Sequence, residues 1–541
     1  MKNLTRFMAF VLVCLMALGC MGATAESTEL KTLRIMAPSG TITAGDQQMT
    51  LEEWMNSDSQ LVKAFNDALA GYGLKLELDL IPDDQYQVVC QTRLATGLDC
   101  DLFDMQPLET ATRQQLVDRG LIQPLNGIWA EHSNGTAQAF FTEGDGLKEV
   151  QLNSLVDGNL YWLTHVTRGE YDGTEAGATM CFMIRKDWAD KLGRELPTTT
   201  DELFDLLVAF QENDMNGNGE KDEVISVALD SFQTGIAQWF GFGPEITYID
   251  PKADSVQTPW KAEHIKDYID FMHRLVEAGL VDTSDQASQK AAENKIAGIF
   301  SWYTDTWTEA SVTVAAGDDH ACYVPVYCAA VDGVEPSLLR QAGLQLGSMA
   351  LAVTSNCTDL DAVGALMDFV TSEEYYILTE YGVKDYTYTE DADGVRTKIK
   401  TGDTFEQQLM ASRSAPWTSI LPRREMVDRK AEANSVLNAA GDDAAYLEDL
   451  QVKAQIAEGS LIAPDYFPHE TAPNLAVETV EEMEQSNAIA TDLKTYSSEL
   501  LMKLILGDRS MDDWDSYLSD LERLGLDDYV AIHEARYERT K

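Results

Sequence analysis

The sequence predicts an α/β protein built from two lobes, and three observations lead to this expectation. The 541-residue chain is too long for one small core, and its 45% hydrophobic content is ordinary for a globular protein. Near the N-terminus, a strand at residues 33–37 precedes a helical pattern at residues 61–70 and an alternating strand at residues 74–81. Such a β-α-β opening favours a parallel sheet with both faces covered.

The same alternation continues along the chain. Residues 86–94 and 112–118 have helical patterns, and residues 100–105 between them are typical of a third strand. Further on, Thr199 and Glu202 have the spacing of a capping box and precede apolar residues at helical intervals. The apolar run that follows, residues 224–229, predicts a buried strand.

The first 25 residues predict a secretory signal peptide. Lys2 and Arg6 precede an apolar run that is too short to span a bilayer. Two processing sites compete: an Ala-x-Ala site that ends at Ala25, and a lipobox-like stretch before Cys20 that has Ala17 where Leu is usual. We therefore expect a secreted or cell-envelope protein, cleaved after Ala25 or lipid-anchored at Cys20.

Charge and cysteine content exclude several classes of function. The net charge of −50 becomes −52 without the signal, because residues 1–25 contain two basic residues and no acid. Such a surface repels nucleic acid and anionic lipid. The six cysteines after residue 25 match no zinc spacing, and the seven His residues form no metal-binding motif. Cys322 and Cys328 are close enough in sequence to pair, but the spacing leaves this open.

One segment, NDMNGNGEKDE, has oxygen-bearing side chains at alternate positions around two glycines. Asp214, Asn216 and Asn218 match positions one, three and five of an EF-hand calcium loop, and Gly219 matches the sixth. The backbone carbonyl of Glu220 would be the seventh. The pattern therefore predicts a calcium site.

The end of this segment departs from an EF-hand. The twelfth position, where an EF-hand has a bidentate Glu, is Ile225, and the adjacent acids Asp222 and Glu223 would have to complete the shell instead. A predicted helix before the segment and a strand after it lack the second helix of a calcium sensor, so a structural ion is expected. The alternative is a solvated Asn-Gly turn without metal.

Several longer motifs resemble those of the extracellular solute-binding proteins of bacterial ABC importers, of the maltose-binding type. They include LATGLDCDLFDMQP, TRQQLVDRGLIQPLN, TMCFMIRKDWADKLGRELPTT and MALAVTSNCTDLDAVGALMDFV. The segment LVDGNLYWLTHV resembles the family's crossover between lobes, with Thr164 or His165 where Pro is usual. The resemblance covers about residues 30–390.

The resemblance implies a type II periplasmic-binding-protein fold, in which a hinge joins the lobes. It places lobe 1 at residues 28–166 and 343–383, and lobe 2 at residues 167–342 and 384–541. The segment Asp214 to Glu223 is similar to the loop of a calcium-bearing branch that includes binding proteins for alginate oligosaccharides. It implies that Asp214, Asn216, Asn218, Glu220, Asp222 and Glu223 hold a structural calcium ion.

Six residues are candidates for ligand contacts. Asp104 and Gln106 end the third strand, where ligands of open α/β sheets bind, although Asp104 could equally cap the next helix. Trp302 and Tyr303 follow a predicted strand and match the aromatic platform of the resembled family. Trp239 and Trp417 are further aromatic candidates, for which burial in a core is the alternative interpretation.

The sequence therefore predicts a non-enzymatic, monomeric component that binds a carbohydrate, in particular an oligosaccharide, and delivers it to the membrane subunits of an ABC permease. Two alternatives stay open. The chain could be a secreted polysaccharide-active enzyme with structural calcium, because 90 acidic residues leave room for a catalytic carboxylate pair. It could also be a ligand-sensing subunit of a membrane kinase.

Overall fold

A computed structural model of the chain describes residues 29–541 with internal gaps. The gaps are residues 45–46, 172–173, 176–178, 285, 303–311, 313–314, 319, 335, 337–338, 341–343, 393, 395, 400–401, 413, 429–468 and 471–474. The predicted signal peptide, including Cys20, lies outside the described residues. Among the helices that are described, none combines the length and apolar character needed to cross a membrane.

The described residues form 21 strands and 17 α-helices. The strands are β1 Lys31–Ser39, β2 Thr41–Ala44, β3 Gln47–Thr50, β4 Leu74–Pro82, β5 Leu102–Asp104, β6 Trp162–Leu163, β7 Val166–Tyr171, β8 Thr174–Glu175, β9 Thr179–Arg185, β10 Val224–Ser226, β11 Tyr248–Asp250, β12 Ser255–Gln257, β13 Ile296–Trp302, β14 Tyr323–Pro325, β15 Leu339–Arg340, β16 Leu344–Leu346, β17 Leu351–Val353, β18 Tyr388–Glu390, β19 Arg396–Lys398, β20 Arg424–Asp428 and β21 His469–Glu470. The helices are α1 Leu51–Met55, α2 Gln60–Gly71, α3 Asp83–Thr96, α4 Thr110–Asp118, α5 Asn126–His132, α6 Thr136–Thr142, α7 Gly144–Asn153, α8 Lys186–Lys191, α9 Thr200–Glu212, α10 Ile265–Glu277, α11 Ala287–Ala292, α12 Leu360–Val370, α13 Glu373–Glu380, α14 Phe405–Ser412, α15 Val480–Ile505, α16 Trp514–Arg523 and α17 Leu526–Thr540.

The first lobe is built on a five-stranded sheet in the order β4-β1-β5-β17-β6. β1 is parallel to β4 and β5, whereas β17 is antiparallel to both β5 and β6. Ile35 and Met36 are both fully buried and belong to different apolar clusters, because successive side chains of a strand point to opposite faces. Helices therefore cover both faces, as the β-α-β pattern predicts.

The second lobe has its own sheet, in the order β10-β13-β9-β14, with β15 also paired to β9. β10 and β13 are parallel, and β9 is antiparallel to β13. One large apolar cluster covers one face of this sheet, and it joins α9 and α10 to the C-terminal helices α15, α16 and α17. The second lobe thus contains the last 60 or so residues of the chain, far in sequence from its sheet.

A separate small sheet joins the two lobes. Its core order is β16-β7-β20; we call these three strands the hinge sheet. Each strand lies next to a chain segment in the first lobe: β7 follows β6, β16 precedes β17, and β20 follows a buried first-lobe turn that ends at Leu421. The chain therefore passes between the lobes at three places.

The third passage corrects one sequence-based expectation. Residues 384–541 were expected in the second lobe, but Phe405, Leu409, Trp417 and Leu421 are buried in the apolar cluster of the first lobe. They pack there because α14 and the turn after it place these apolar side chains against α1, α2 and β1. The passage into the second lobe comes only after this segment.

The local elements agree with their sequence patterns, with small shifts at the ends. The predicted helix at residues 61–70 is Gln60–Gly71, and the strand at residues 74–81 is Leu74–Pro82. The Thr199 hydroxyl accepts a hydrogen bond from the Glu202 N–H at 3.2 Å, as in a capping box. The Glu202 carboxylate, however, accepts from the N–H of Thr198 and not from that of Thr199.

Two partly buried arginines, Arg423 and Arg424, fix the start of β20 to the first lobe. The Arg424 guanidinium binds the fully buried Glu149 carboxylate on α7, with contacts of 2.5 and 3.3 Å, and lies 4.7 Å from the centre of the Phe140 ring. Its neighbour Arg423 binds Glu380 at the end of α13 through two contacts of 2.9 and 3.1 Å. These bidentate pairs are the strong kind of ion pair.

The three passages are also hydrogen-bonded to one another. The Arg423 N–H donates to Nδ1 of His165 at 2.8 Å, and the Gly347 N–H donates to the His165 carbonyl at 2.8 Å. Burial, together with the nearby Arg423 and Arg424, lowers the pKa of His165 to about 4, so its ring is neutral at ordinary pH. A Cβ on Gly347 would lie 2.6 Å from that of His165, so a glycine is required at this approach.

All six cysteines of the described residues are separate buried thiols. Cys322 and Cys328 are both fully buried and do not form the disulfide that their spacing left open. Burial raises the pKa of the Cys90 thiol to about 12 and that of Cys100 to about 11, which keeps both protonated.

We predict that Glu149→Ala destabilises the protein strongly, because it leaves the Arg424 charge buried without its carboxylate. The expected loss is about 3–5 kcal/mol of the free energy of unfolding, measured by chemical denaturation. Glu499→Ala is the control, since its pair with Lys503 at 2.7 Å lies on the exposed face of a helix and should contribute about 0–1 kcal/mol. Equal losses in the two variants would contradict the role of the buried pair.

Candidate functional site

The carboxyl ends of the three parallel strands of the first lobe meet at one edge of its sheet. β1 ends at Ser39, β4 at Pro82 and β5 at Asp104. Ligands of open α/β sheets bind beyond this edge. The backbone here is tightly packed, because a Cβ on Gly40 would lie 2.5 Å from Oδ2 of Asp83.

Asp104 lies at this edge but does not face a ligand. It is 1% exposed, and its Oδ1 accepts hydrogen bonds from the N–H groups of Gln106 and Ala350, each at 2.9 Å. Burial raises the pKa of its carboxyl group, although the two N–H donors oppose that shift. The expectation of a ligand contact is therefore wrong for Asp104, which instead joins the end of β5 to the segment before β17.

Gln106 remains a candidate for ligand contact, because it is exposed and lies just beyond the end of β5. Arg113 holds the backbone of this turn by donating to the carbonyls of Met105, Gln106 and Leu108 at 2.9–3.1 Å. The exposed Asp83, at the start of α3 and the end of β4, lies at the same edge. Sequence reasoning missed Asp83 as a candidate. It could have been found as an acidic residue that comes just after a predicted strand.

Of the three described aromatic candidates, Trp302 is the accessible one. It ends β13 at the carboxyl edge of the second-lobe sheet, opposite Met180 of β9, and is 37% exposed. An exposed Trp on a rigid strand can stack on the apolar face of a ligand. Its neighbour Tyr303 lies outside the described residues.

The other two tryptophan candidates belong to the cores. Trp417 is fully buried between Trp54 and Phe65, with ring centroids 5.7 and 4.6 Å away, and its indole N–H donates to Thr379 at 3.0 Å. Trp239 is fully buried as well, with its ring edge-on to Phe182 at 5.9 Å. The expected ligand role is wrong for both in this structure, because neither ring reaches the surface.

The predicted calcium loop folds into a compact turn between α9 and β10. The Asp214 carboxylate accepts from the N–H groups of Asn218 and Gly219 at 3.0 and 2.9 Å, and Oδ1 of Asn216 accepts from the Asn218 N–H at 3.0 Å. Oδ1 of Asn218 in turn accepts from the Glu220 N–H at 2.7 Å. Each of these oxygens keeps a further lone pair for a cation.

The acidic pair closes the turn from the other side. Both Asn216 and Asn218 donate from Nδ2 to the Asp222 carboxylate at 2.9–3.1 Å, and the Asn216 N–H donates to Oε1 of Glu223 at 3.2 Å. Glu223 is fully buried, and its Oε2 has no hydrogen-bond partner among the described residues. Burial raises the pKa of the Glu223 carboxyl group. Its Oε2 is a buried polar atom of the kind that a bound water or ion usually satisfies.

Lys295 brings a cation to the acidic pair from a distant part of the chain, which is why sequence reasoning missed it. Its Nζ lies 3.1 Å from Asp222 and 2.8 Å from the exposed Glu293. Although burial alone would raise the pKa of Asp222, hydrogen bonds from Asn216, Lys295 and Asn218 lower it, so this carboxylate is charged.

The donor set of the loop fits a hard cation, which takes six to eight oxygen ligands. Carboxylate oxygens come from Asp214, Asp222 and Glu223, and amide oxygens from Asn216 and Asn218. The structure gathers no group of three or more His, Cys, Asp or Glu side chains into a metal site within its described ranges. The unpartnered Glu223 oxygen is the observation in favour of an ion.

Comparison with known proteins identifies relatives over most of the chain. A family model described as bacterial extracellular solute-binding protein matches residues 50–377. The chain is also 25% identical over 414 residues to the fructooligosaccharide ABC transporter substrate-binding protein FusA of Streptococcus pneumoniae. That match covers 72% of this chain and 71% of FusA.

Solved structures share the fold at lower sequence identity. An HMO-binding, ABC-transporter-associated solute-binding protein of Bifidobacterium longum infantis matches with a TM-score of 0.65 and 18% identity, over 94% of this chain and 99% of that one. The alginate-binding protein AlgQ2, solved without calcium ion, matches with a TM-score of 0.60 and 18% identity, over 94% of this chain and 98% of that one. At these identities the likeness concerns the fold.

We predict that Trp417 and Trp302 differ sharply in their effect on stability. Trp417→Ala removes a buried ring and should lower the free energy of unfolding by about 3–5 kcal/mol. Trp302→Ala should change it by less than about 1 kcal/mol, because much of that side chain is exposed. Chemical denaturation of the two variants, each checked by circular dichroism, measures the difference. A large loss for Trp302→Ala would place Trp302 in the core.

Proposed function

Because the chain belongs to the bacterial extracellular solute-binding proteins, we propose that it binds an oligosaccharide between its two lobes and delivers it to the membrane subunits of an ABC permease. The observation that carries the proposal is the exposed Trp302 at the carboxyl edge of the second-lobe sheet. The named ligands of the relatives support a carbohydrate, since FusA is a fructooligosaccharide-binding protein and AlgQ2 an alginate-binding one.

The chemistry of the two sheet edges suits a sugar. An indole ring can stack on the apolar face of a pyranose or furanose ring, and this contact excludes water from both surfaces. The hydroxyl groups of the sugar need polar partners, and Gln106 and Asp83 are exposed polar side chains at the first-lobe edge. A ligand that touches both edges favours the closed arrangement of the lobes.

We propose a binding role without catalysis. Glycoside hydrolysis needs two opposed carboxylates, one of them with a raised pKa. The carboxyl group with a raised pKa at the first-lobe edge is that of Asp104, and its hydrogen bonds to backbone N–H groups and 1% exposure leave it no access to a substrate. A reducing-sugar assay tests this directly.

We further propose that the turn after α9 holds a structural calcium ion. Asp214, Asn216, Asn218, Asp222 and Glu223 would supply side-chain oxygens, and Glu220 its backbone carbonyl. The ion would offset two of the three carboxylate charges, beside the Lys295 ammonium group at Asp222, and tie the end of α9 to the start of β10. The buried Glu223 oxygen without a partner supports this assignment.

We place the mature protein outside the cytoplasmic membrane, in accord with the extracellular family to which it belongs. Cleavage after Ala25 and lipid attachment at Cys20 are both compatible with this location. We propose that the protein works as a monomer, because two lobes of one chain suffice to enclose a ligand.

The ligand class can be tested by a thermal-shift screen of neutral oligosaccharides, including kestose-type fructans. We expect at least one to raise the melting temperature, because it binds the native state alone. Trp302→Ala should then weaken binding by about 1–3 kcal/mol in calorimetric titration. Trp302→Phe, which keeps a ring, should retain most of the affinity.

Two results would contradict this function. One is the absence of any shift across the oligosaccharide panel. The other is an unchanged radius of gyration in X-ray scattering at saturating ligand, which would mean that the lobes do not close.

The calcium proposal predicts that chelation lowers the melting temperature of the wild-type protein. A ligand at 100 times its Kd stabilises the native state by about 2.7 kcal/mol, and chelation removes that contribution. Asp222→Ala should melt near the chelated wild type and respond little to chelator. Glu293→Gln is the matched control, since Glu293 also contacts Lys295 but lies outside the loop. Identical wild-type curves with and without chelator would indicate a turn without metal.

A further inference from the structure

The second lobe contains a small cavity for which the proposed function gives no role. Its volume is about 200 Å³, and it lies between the loop that follows β10 and the long helix α15. Asp230, Phe232 and Glu245 line it from the loop, and Lys494 and Ser497 from the helix. Ligand sites for drug-sized molecules are about 300–1,000 Å³. This cavity is therefore suited to one ring-sized group.

Ser497 offers the cavity a hydrogen-bond donor that the protein does not use. The residue is 6% exposed, and its Oγ accepts the indole N–H of Trp260 at 2.7 Å. A buried serine within a helix can donate its hydroxyl hydrogen to the carbonyl four residues earlier. No such bond, or any other acceptor for this hydrogen, is present among the described residues. A buried donor of this kind is costly unless a ligand or water accepts it.

The charged groups of the cavity favour a neutral ligand. Lys494 lies 5.7 Å from the centre of the Tyr529 ring and has no ion-pair partner in the part of the chain that the structure describes. Glu245 is held in place by Gln233, whose Nε2 donates to Oε1 at 3.0 Å. With Asp230, the cavity has two carboxyl groups and one ammonium group. Burial raises the pKa of Glu245, and the nearby Lys494 opposes that shift. The acidic groups of the cavity, within a chain of net charge −50, oppose anions.

One wall of the cavity is apolar and rigid. The Phe232 ring is 4% exposed and packs edge-on against Phe242 and Trp260, with centroids 5.8 and 5.6 Å away. Pro244 and Ile246 extend the same wall. A rigid apolar wall surrounded by donors and acceptors matches a molecule that has an apolar face and several hydroxyl groups.

The loop that forms the cavity also lies against the strand that carries Trp302. At Gly235 the loop has φ of +71°, and a Cβ there would lie 2.6 Å from the Phe182 N and 2.9 Å from the ring of Phe300. Phe300 is two residues before Trp302 on β13. The loop, the cavity and the aromatic platform are therefore parts of one packed unit.

We propose that this cavity is a second carbohydrate site, which binds a single neutral sugar ring. The carboxylates of Asp230 and Glu245 accept from sugar hydroxyls, the Ser497 hydroxyl and Lys494 ammonium donate to them, and Phe232 lies along the apolar wall. The choice of sugar as the ligand class rests on the proposed function, but the cavity is distinct from the edge that carries Trp302.

The test follows the indole N–H signal of Trp260 by NMR on the full-length ¹⁵N-labelled protein. This N–H donates to Ser497, so a ligand that engages the Ser497 hydroxyl should shift its resonance. Trp260→Phe and Trp302→Phe assign the two signals among the ten tryptophans. The probes are glucose, galactose and fructose, titrated into the millimolar range, with glucuronate as the anionic counterpart.

We expect a saturable shift of the Trp260 signal with at least one neutral sugar and at least about tenfold weaker binding of glucuronate. Glu245→Gln and Lys494→Met should each weaken the binding that this signal reports by about tenfold. Glu499→Gln is the control, because it changes an exposed carboxylate on the same helix outside the cavity and should behave as the wild type.

Two results would overturn the proposal: no saturable Trp260 shift with any of the three sugars, or equal affinities in the wild type, Glu245→Gln and Lys494→Met.

The Trp302 signal distinguishes this proposal from the proposed function. A Trp302 signal that is unchanged by the oligosaccharides of the thermal-shift panel would contradict the proposed function while leaving the Trp260 result intact. A Trp302 shift without a Trp260 shift would contradict the second site alone.

Discussion

The hinge sheet is the constraint on which the rest of the structure depends. Each lobe buries its own apolar core, and the chain must pass between these cores three times without leaving buried backbone groups unpaired. Pairing of β7 with both β16 and β20 satisfies the backbone of all three passages together. The ion pairs of Arg423 with Glu380 and of Arg424 with Glu149 then hold the start of β20 to the first lobe.

This arrangement also explains why the functional candidates lie where they do. β5 ends in a turn fixed by Asp104 and Arg113, and β13 ends at Trp302, so each lobe presents one short polar or aromatic edge on a rigid strand. Positioning by strands is more precise than positioning by loops. In the closure that we propose, bending at the hinge sheet would change the distance between the edges without disturbing either one.

Much of the fold could be predicted from the sequence, because its strongest signals are local. The two-lobed α/β fold and the solute-binding family are confirmed, and the opening elements follow from hydrophobic periodicity within about ten to fifteen residues. The turn from Asp214 to Glu223 is similarly local, since most of its hydrogen bonds join residues two to seven positions apart.

The errors arose where distant segments meet. An apolar Trp in a loop has the same local pattern whether it stacks on a ligand or, as Trp417 does, on the core residues Trp54 and Phe65 more than 350 positions away. The Asp104 carboxylate accepts a hydrogen bond from the N–H of Ala350, and the Lys295 ammonium group contacts Asp222. Neither contact could be predicted from a local sequence pattern. The third passage between the lobes went unrecognised for the same reason.

A linker of three hydrogen-bonded strands has mechanical properties that a single tether lacks. A ribbon of this kind bends readily across its face, but in-plane bending would stretch its hydrogen bonds, and sliding of its strands would break them. We therefore expect bending across the face of the hinge sheet to be the softest motion between the lobes. Two lobes that already move mainly by one bending motion lose less conformational entropy when a bound solute holds them closed. More of the free energy of the ligand contacts then contributes to affinity.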